Sequence, residues 1–160
     1  MKYQADLNRA ISSKKQNKQL LDKYRREKPK DLDQKFHQAH EEVFEEIDCL
    51  DCANCCKTTS PIFLMSDIER MAKSLKLAPG IFIEKYLYLD ADNDYVLKSS
   101  PCPFLLDDNT CLVYEDRPKA CKEYPHTNRK KMHQITRLTW KNSMICPAVT
   151  RILEKLRVIT

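Results

Sequence analysis

The pattern of apolar residues predicts helices over much of the chain. After Pro29, Asp31 stands at a helix-cap position, and the apolar side chains that follow it share one face of a helix. These side chains are Leu32, Phe36, Val43, Phe44 and Ile47. Ser66–Glu69 is typical of a helix start and predicts a helix to about Lys76. Residues 81–89 predict a shorter helix.

The two ends of the chain differ in their helical pattern. Residues 3–28 carry a broken apolar stripe interrupted by lysines, which predicts a charged, solvated helix. The last segment carries a continuous apolar face that starts beside Cys146 and consists of Ile145, Val149, Ile152, Leu153 and Leu156. We therefore expect two parts, an N-terminal charged helix at 1–30 and a folded domain at 31–160.

Strand signals are short and lie in the second half of the chain. Tyr95–Leu97 predicts a short strand. The apolar segments 102–106 and 111–114 flank a polar turn and predict a β-hairpin. The expected fold class is mainly α with a short β-hairpin, a small α+β protein.

The composition suits one domain of 160 residues, of which 42% are apolar and 32% are charged. No apolar run reaches the roughly 18 residues that a membrane span needs. The N-terminal segment also lacks the apolar core of a secretory signal. We expect a cytoplasmic protein whose cysteines stay reduced. Because Gly80 is the only glycine, glycine-rich nucleotide-binding loops are excluded.

The net charge of +5 is mild, and the basic residues form short runs at Lys14–Lys15, Arg25–Arg26 and Arg129–Lys131. Aromatic residues do not alternate with these runs as they do in a base-stacking surface. The pattern therefore argues against nucleic-acid binding, and a protein partner stays unknown.

Cysteine is the residue type that carries the chemistry of this chain. The eight cysteines are Cys49, Cys52, Cys55, Cys56, Cys102, Cys111, Cys121 and Cys146. Thiolates are the ligands that zinc and iron–sulfur clusters prefer. We therefore predict that these eight residues are metal ligands and that a cysteine-ligated metal centre organises the irregular loops.

The spacing favours an iron–sulfur cluster over zinc. Cys49, Cys52 and Cys55 have the C-x2-C-x2-C spacing of a bacterial ferredoxin run, which ends in Cys-Pro. Cys102-Pro103 and Cys146-Pro147 supply such pairs, although they lie far away in the sequence. A four-cysteine zinc site usually takes two C-x2–4-C motifs, and the second one is missing here.

The spacing leaves the division of the cysteines between sites open. Cys49, Cys52 and Cys55 are the expected core of one site, which the distant cysteines complete. Cys55 and Cys56 are adjacent, so their side chains point in different directions. This suggests either two centres or one ligand and one spare thiol, and eight thiolates would suffice for two four-ligand sites.

Other candidate residues lie near the cysteines or on the predicted helices. Arg117 precedes Cys121, and we expect it to pair with an acidic neighbour and brace the loop that presents this cysteine. The alternative is a hydrogen bond from Arg117 to a sulfur of the metal centre. His37 and His40 lie on or next to the apolar face of the helix after Asp31, where a packing role is the commoner one.

Four cysteine motifs follow one another in a fixed order. They are Cys49-x2-Cys52-x2-Cys55-Cys56, Cys102-Pro103-Phe104-Leu105, Cys111-Leu112-Val113-Tyr114 and Arg117-Pro118-x2-Cys121-x2-Tyr124-Pro125. In this combination, residues 47–148 resemble the YkgJ-type cysteine-cluster family, which is described as a zinc- or iron-chelating domain. The resemblance implies metal chelation through these cysteines. The family also supplies a domain to flagellin lysine methylases, which implies an enzymatic use as an alternative.

The expected function is metal chelation through a CxxCxxCC-type cysteine cluster that binds an iron–sulfur cluster or zinc. One alternative is an iron–sulfur-dependent redox or methyl-transfer enzyme. Another is an interaction module that zinc stabilises. Whether any reaction is catalysed stays open, because no Ser/His/Asp group or pair of carboxylates stands out in the sequence.

Overall fold

The computed structural model describes residues 2–159, and the chain divides into two compact units. Unit 1 is formed by the chain up to Cys52 together with the chain from Pro125 onward. Unit 2 is the intervening segment, Ala53–Tyr124.

Helices dominate both units. In chain order they are α1 (Gln4–Ser12), α2 (Lys14–Glu27), α3 (Leu32–Phe44), α4 (Asn54–Thr58), α5 (Met65–Ser74), α6 (Pro79–Tyr86), α7 (Lys119–Glu123), α8 (Thr136–Ser143) and α9 (Pro147–Ile159). The strands β1 (Leu87–Leu89) and β2 (Tyr95–Leu97) form a two-stranded antiparallel sheet. This arrangement confirms the predicted fold class, mainly α with a short β-hairpin.

The core of unit 1 lies between α3, α9 and the N-terminal helices. Its fully buried members include Leu21, Tyr24, Leu32, Phe36, Val43, Met132, Val149, Ile152, Leu153 and Leu156. The apolar faces predicted for α3 and α9 are therefore the faces that pack together.

The N-terminal segment is not the single solvated helix that its pattern predicts. The chain breaks at Ser13 into α1 and α2, and both helices bury apolar side chains. Leu7 and Ala10 are buried on α1, and Leu21 and Tyr24 on α2. The stripe looks broken in the sequence because two successive helices present separate apolar faces. The domain boundary expected at residue 30 stays a prediction.

A buried carboxylate links α1 to α9 within unit 1. Asp6 is 3% exposed and accepts hydrogen bonds from Arg9 Nη2 at 2.6 Å and from Arg151 Nε at 2.8 Å. Burial alone would raise the pKa of the Asp6 carboxyl, but the bonds from Arg151 and Arg9 outweigh it and hold this pKa below its usual value. Asp6 is therefore a charged tie inside an otherwise apolar helix contact.

The core of unit 2 lies between α5, α6 and the β-hairpin. Its buried members are Phe63, Ile68, Met71, Ala72, Phe82, Leu87, Leu97, Phe104 and Val113. In the hairpin, Leu87 faces Leu97 and Leu89 faces Tyr95. Asp90 closes the turn, because its Oδ1 accepts from the backbone N–H groups of residues 92 and 94.

Two local predictions for unit 2 are wrong. The helix expected over residues 81–89 ends at Tyr86, and Leu87–Leu89 pairs with Tyr95–Leu97 as β1. The hairpin expected over residues 102–114 is reduced to one bridge between Leu105 and Cys111. Pro103 explains part of this loss, because proline has no N–H to donate to a strand ladder.

The α-helices between Gln4 and Ile159 are all too short or too polar to cross a membrane.

We expect Asp6→Asn to lower the free energy of unfolding by about 2 kcal/mol, because hydrogen bonds to a buried charge are worth about 1.5–3 kcal/mol. Urea denaturation at pH 7, followed by circular dichroism, measures this loss. Asp22→Asn is the matched control, because Asp22 lies at the surface 3.5 Å from Lys18 and from Arg25. The control should change stability by less than about 0.5 kcal/mol. Equal losses in both variants would contradict the proposed tie.

Candidate metal centre

The CxxCxxCC segment consists of a 3₁₀ turn, a left-handed residue at Ala53 and the start of α4. Cys49–Asp51 forms a 3₁₀ turn in which Asp48 Oδ1 accepts from Leu50 N at 2.9 Å. Ala53 then adopts a left-handed backbone with φ of 48°, a conformation that a residue with a Cβ rarely takes. Because α4 starts directly afterwards, Cys55 and Cys56 lie on a helix of unit 2. The first two cysteines of the motif, Cys49 and Cys52, belong to unit 1.

Backbone hydrogen bonds bring three distant cysteines of unit 2 together. Cys102 N donates to Cys56 O at 2.8 Å. Cys111 is bridged to Leu105, and Leu105 N donates back to Cys102 O at 3.1 Å. Cys102 and Cys111 also pack against the same apolar core. A turn and one bridge therefore join the segments of Cys102 and Cys111, in place of the predicted hairpin.

An ion pair on α5 between the buried Asp67 and the half-buried Arg70 positions the loop that leads to Cys121. Asp67 is 1% exposed, and its Oδ1 accepts from Arg70 Nη2 at 2.8 Å and from Lys119 N at 3.1 Å. Arg70 Nη2 also donates to Arg117 O at 2.8 Å. Both partners of this pair, the Asp67–Arg70 clamp, therefore bind the loop at residues 117–119, just before Cys121 on α7.

Part of this clamp has a signal in the sequence. The helix-start pattern Ser66–Glu69 contains Asp67 and indicates a capping role for this residue. Its carboxylate does fill that role, because Oδ2 accepts from Leu64 N at 2.9 Å. The three-residue spacing from Asp67 to Arg70 also permits an ion pair on one helix face. That the pair would reach residues 117–119 depends on the tertiary fold.

The thiols of Cys56, Cys102, Cys111 and Cys121 perturb one another, and we call them the four-thiol group. Burial raises the pKa of Cys102, Cys111 and Cys121, and that of Cys121 reaches about 12. Cys56 raises all three of these pKa values further, and Cys102 and Cys111 add to that of Cys121. These four thiols of unit 2 are therefore close enough for the charge of one thiolate to oppose ionisation of the others.

Cys56 differs from the other three thiols because its pKa is lowered to about 7. The hydrogen bond with the Cys55 side chain is the largest cause, and it outweighs the opposing effect of burial. The positive charges of Arg117 and Lys57 lower this pKa further. At neutral pH, Cys56 is therefore the thiol of this group that most readily becomes a nucleophilic, metal-binding thiolate.

Arg117 faces the four-thiol group and does not brace the loop as predicted. Its charge acts on the thiols of Cys56, Cys111 and Cys121. Its guanidinium carbon lies 3.9 Å from the centroid of the Tyr114 ring, and its Nε is buried without a hydrogen-bond partner. No ion pair within residues 2–159 involves Arg117. The structure gives the bracing role to Arg70.

Unit 1 holds a second, smaller group of thiols. Cys146 directly precedes α9, and its carbonyl oxygen accepts from Val149 N at 3.1 Å. The backbone N–H groups of Val149 and Ala148 also act to lower the pKa of the Cys146 thiol. Burial raises the pKa of Cys146 to about 12, and Cys49 and Cys52 raise it slightly further. Cys52 is 7% exposed and packs in the core of unit 1, whereas Cys49 is exposed.

The histidines of α3 bind a loop of unit 1. His37 Nε2 lies 2.9 Å from Arg129 O, and His40 Nδ1 lies 2.8 Å from Thr127 Oγ1. Burial lowers the pKa of His40, which favours its neutral form. These contacts agree with the packing role expected for both residues.

The donor set fits a thiolate-bound metal. All eight cysteines are thiols rather than disulfide partners, and Arg117, whose charge acts on the four-thiol group, has a buried Nε–H without an acceptor. Across residues 2–159, no three or more side chains of Cys, His, Asp or Glu are already arranged so that they could hold one metal ion. The thiol donors that zinc and iron take are present, but their side chains do not form a complete metal site in this part of the chain.

A comparison with models of protein families shows the family to which the chain belongs. The family model CxxCxxCC, described as a "putative zinc- or iron-chelating domain", matches residues 48–147, more than half of the chain. The protein belongs to this family, which confirms the resemblance inferred from the motifs. No curated protein and no solved structure matches the chain.

We expect Asp67→Asn to destabilise the protein by about 2 kcal/mol at pH 7, since Asp67 loses charge-assisted hydrogen bonds. Burial opposes ionisation of Asp67, but bonds from Leu64 N, Arg70 and Lys119 N hold its pKa below the usual value. A depressed native pKa stabilises the fold above the unfolded pKa of about 3.9, and this contribution is lost as pH falls through the native value.

The difference in unfolding free energy between wild type and Asp67→Asn should therefore shrink below about pH 4. Denaturation series at several pH values measure it. Glu69→Gln, an exposed carboxylate on the same helix, is the control and should show little effect at any pH. A loss in Asp67→Asn that does not depend on pH would contradict the ionised clamp.

Proposed function

We propose that this protein chelates a metal through cysteine thiolates, and that an iron–sulfur cluster is favoured over zinc as the bound group. The pool of ligands is the predicted set Cys49, Cys52, Cys55, Cys56, Cys102, Cys111, Cys121 and Cys146. The chelating part is the expected domain at 31–160, and the cellular setting is a reducing, cytoplasmic one in which these thiols do not form disulfides.

The observation that carries the proposal is the four-thiol group beside Arg117. Clustering several half-buried thiols is unfavourable for their charged forms, and it raises the pKa of three of them. A metal ion or cluster reverses this penalty because it binds the thiolates directly. Four thiolates outweigh the charge of a zinc ion, so a neighbouring cation stabilises the complex. Arg117 is such a cation.

The preference for an iron–sulfur cluster comes from the motif. The C-x2-C-x2-C spacing and the Cys-Pro pairs match ferredoxin-type ligation, and a second zinc motif is missing. Hydrogen bonds to cluster sulfurs adjust the reduction potential of such centres, and the buried Nε–H of Arg117 is a donor available for such a bond. When bound, an iron–sulfur cluster would supply electron transfer, and zinc would supply structural stability.

Anaerobic purification from cells supplied with both iron and zinc tests the proposal directly. We expect a brown protein with a broad absorption band near roughly 400 nm. Elemental analysis of the same sample should find iron together with acid-labile sulfide. A colourless protein with stoichiometric zinc would show that the bound group is zinc and not an iron–sulfur cluster, and the proposed chelation would stand. A protein without zinc, iron or sulfide would contradict the proposed function.

Arg117→Gln should weaken metal binding by about tenfold, the lower end of the range for residues that hydrogen-bond to metal ligands. Without this cation, the pKa of Cys56 rises, so protons compete with the metal up to a higher pH. Competition with a chelator at several pH values should show that half-maximal binding moves to higher pH. Arg117→Lys should recover part of the loss because the charge remains.

Arg137→Gln is the control for this variant, because it also removes one positive charge but does so at an exposed position on α8. It should bind metal as the wild type does. If Arg117→Gln and Arg137→Gln bind equally tightly, Arg117 has no role at the centre.

A further inference from the structure

We propose that a basic surface of unit 1 binds the phosphate backbone of a nucleic-acid duplex. This surface consists of α2, the loop at residues 129–135 and α8, and we call it the basic face. It contains none of the eight cysteines, so the inference goes beyond the proposed chelation. It departs from the expectation drawn from the sequence, in which the basic residues form short and separate runs.

Charge is unevenly distributed along the chain of unit 1. Residues 125–153 contain six basic residues and no carboxylate. Residues 14–30 contain eight basic residues against the two carboxylates of Asp22 and Glu27. Residues 41–51 show the reverse, with six carboxylates and no basic residue. The positive charge of unit 1 is therefore concentrated in two segments that are far apart in the sequence.

Packing brings these two segments together. Helix α2 contacts both α8 and the 3₁₀ turn at Met132–Gln134. At one end, Trp140 Nε1 donates to Lys14 O at 3.0 Å, and Lys14 Nζ lies 5.3 Å from the centre of the Trp140 ring. At the other end, Asp33 Oδ2 accepts from Lys131 N at 2.7 Å, which holds the loop against the start of α3, soon after α2 ends. The two basic segments therefore form one surface.

Helix geometry places the basic residues of α2 on one side. At about 100° per residue, Lys14, Lys18 and Arg25 lie within about 40° of one another around the helix axis. Lys15 and Arg26 continue this side away from the core, and all five residues are exposed. Because α2 has 14 residues, its row of positive charges is about 21 Å long.

Most cations of the basic face have no carboxylate partner. Lys18 and Arg25 share Asp22, at 3.5 Å each. In the described part of the chain, the exposed cations of the face that form no ion pair include Lys14, Lys15, Arg26, Lys130, Lys131 and Lys141. Like charges that lie close together repel one another, and an anionic partner would remove this cost.

The lack of apolar side chains on this face indicates which kind of anionic partner it fits. Among residues 2–159, Leu138 is the one exposed large apolar residue that belongs to the basic face. Interfaces with proteins have an apolar core, and helices that lie on membranes insert an apolar face. Binding to a nucleic-acid backbone needs neither, because the release of counterions from the phosphates drives it. A nucleic-acid backbone is therefore the polyanion that fits this face best.

The basic face also favours a duplex over a single strand. Single-strand binding uses exposed aromatic rings on which the bases stack. On this face, Tyr24 is buried, and Trp140 is half-buried with its N–H bonded to the main chain. A duplex carries a phosphate about every 1.7 Å along its axis, so α2 spans about twelve of them. Since the protein approaches from one side, we expect contact with about six, half of this number.

Fluorescence anisotropy with the full chain tests the proposal. The probes are a labelled DNA duplex of about 20 base pairs, longer than the face, and an RNA duplex of the same sequence. Binding of either duplex through the basic face supports the proposal. Between about 50 and 200 mM salt, a plot of log binding constant against log salt concentration should have a slope of about −5, which corresponds to about six phosphate contacts.

Lys15→Gln combined with Lys130→Gln removes two of the expected contacts. This double variant should bind about tenfold more weakly or worse, and its salt slope should be less steep by about 2. Lys73→Gln combined with Lys85→Gln is the control, because it removes the same charge at exposed positions of unit 2. The control should bind as the wild type does. Equal losses in both double variants would overturn the assignment to the basic face.

Three further results would overturn the proposal. One is that neither duplex binds at about 50 mM salt and about 100 µM protein, the weak end of non-specific affinities. Another is displacement of the duplex by polyglutamate at an equal concentration of charge, which would indicate an acidic protein as the partner. The third is tighter binding to vesicles that contain phosphatidylserine, which would indicate a membrane.

Lysine acetylation of the wild type locates the contact without any variant. The protein is treated with an acetylating ester in the presence and absence of the DNA duplex, and the modified lysines are identified by mass spectrometry. The duplex should slow the acetylation of Lys15, Lys130 and Lys131 by about threefold or more, because a lysine in contact with phosphate is shielded. Lys73 and Lys85 should react at similar rates in both samples. Protection of these two lysines instead would place the duplex elsewhere and overturn the proposal.

Discussion

The central constraint on this protein is that a cysteine binds metal only as a thiolate, whereas burial keeps a thiol protonated. Cys121 and Cys146 show the penalty most clearly, because burial raises the pKa of each to about 12. Three devices offset it: a hydrogen bond from Cys55 to Cys56, the charge of Arg117, and backbone N–H groups of α9 that act to lower the pKa of Cys146. A bound metal would stabilise the thiolates more strongly than any of these three devices. The thiol arrangement would therefore be most stable as part of a metal complex.

The scaffold around the thiols is built from bonds that do not need the metal. In unit 2, the Asp67–Arg70 clamp fixes the approach to α7, and main-chain bonds join the segments of Cys56, Cys102 and Cys111. In unit 1, Asp6 links α1 to α9, and Cys146 directly precedes α9. Each unit therefore presents its cysteines from elements that its own core and buried charges hold in place.

Local patterns in the sequence predicted the elements that depend on local chemistry. Helix periodicity and cysteine spacing are properties of the sequence, so they predicted the apolar faces of α3 and α9 and the family motif. The strand at Tyr95–Leu97 was predicted from its local pattern in the same way. The sequence did not predict the break at Ser13 or the pairing of Leu87–Leu89, because packing against distant segments decides both. For the same reason, the predicted ion pair between Arg117 and an acidic neighbour is wrong. An acidic residue next to it in the sequence looked suitable, but the fold places thiols beside it instead.

The most direct test of this account is X-ray absorption at the edge of the metal that the anaerobically purified protein retains. The account predicts a coordination shell made only of sulfur, with four sulfur atoms at about 2.3 Å if the metal is zinc. If the metal is iron, the sulfur shell should be accompanied by a neighbouring iron atom. A shell made mainly of nitrogen or oxygen would show that the cysteines do not hold the metal, and the account would be wrong.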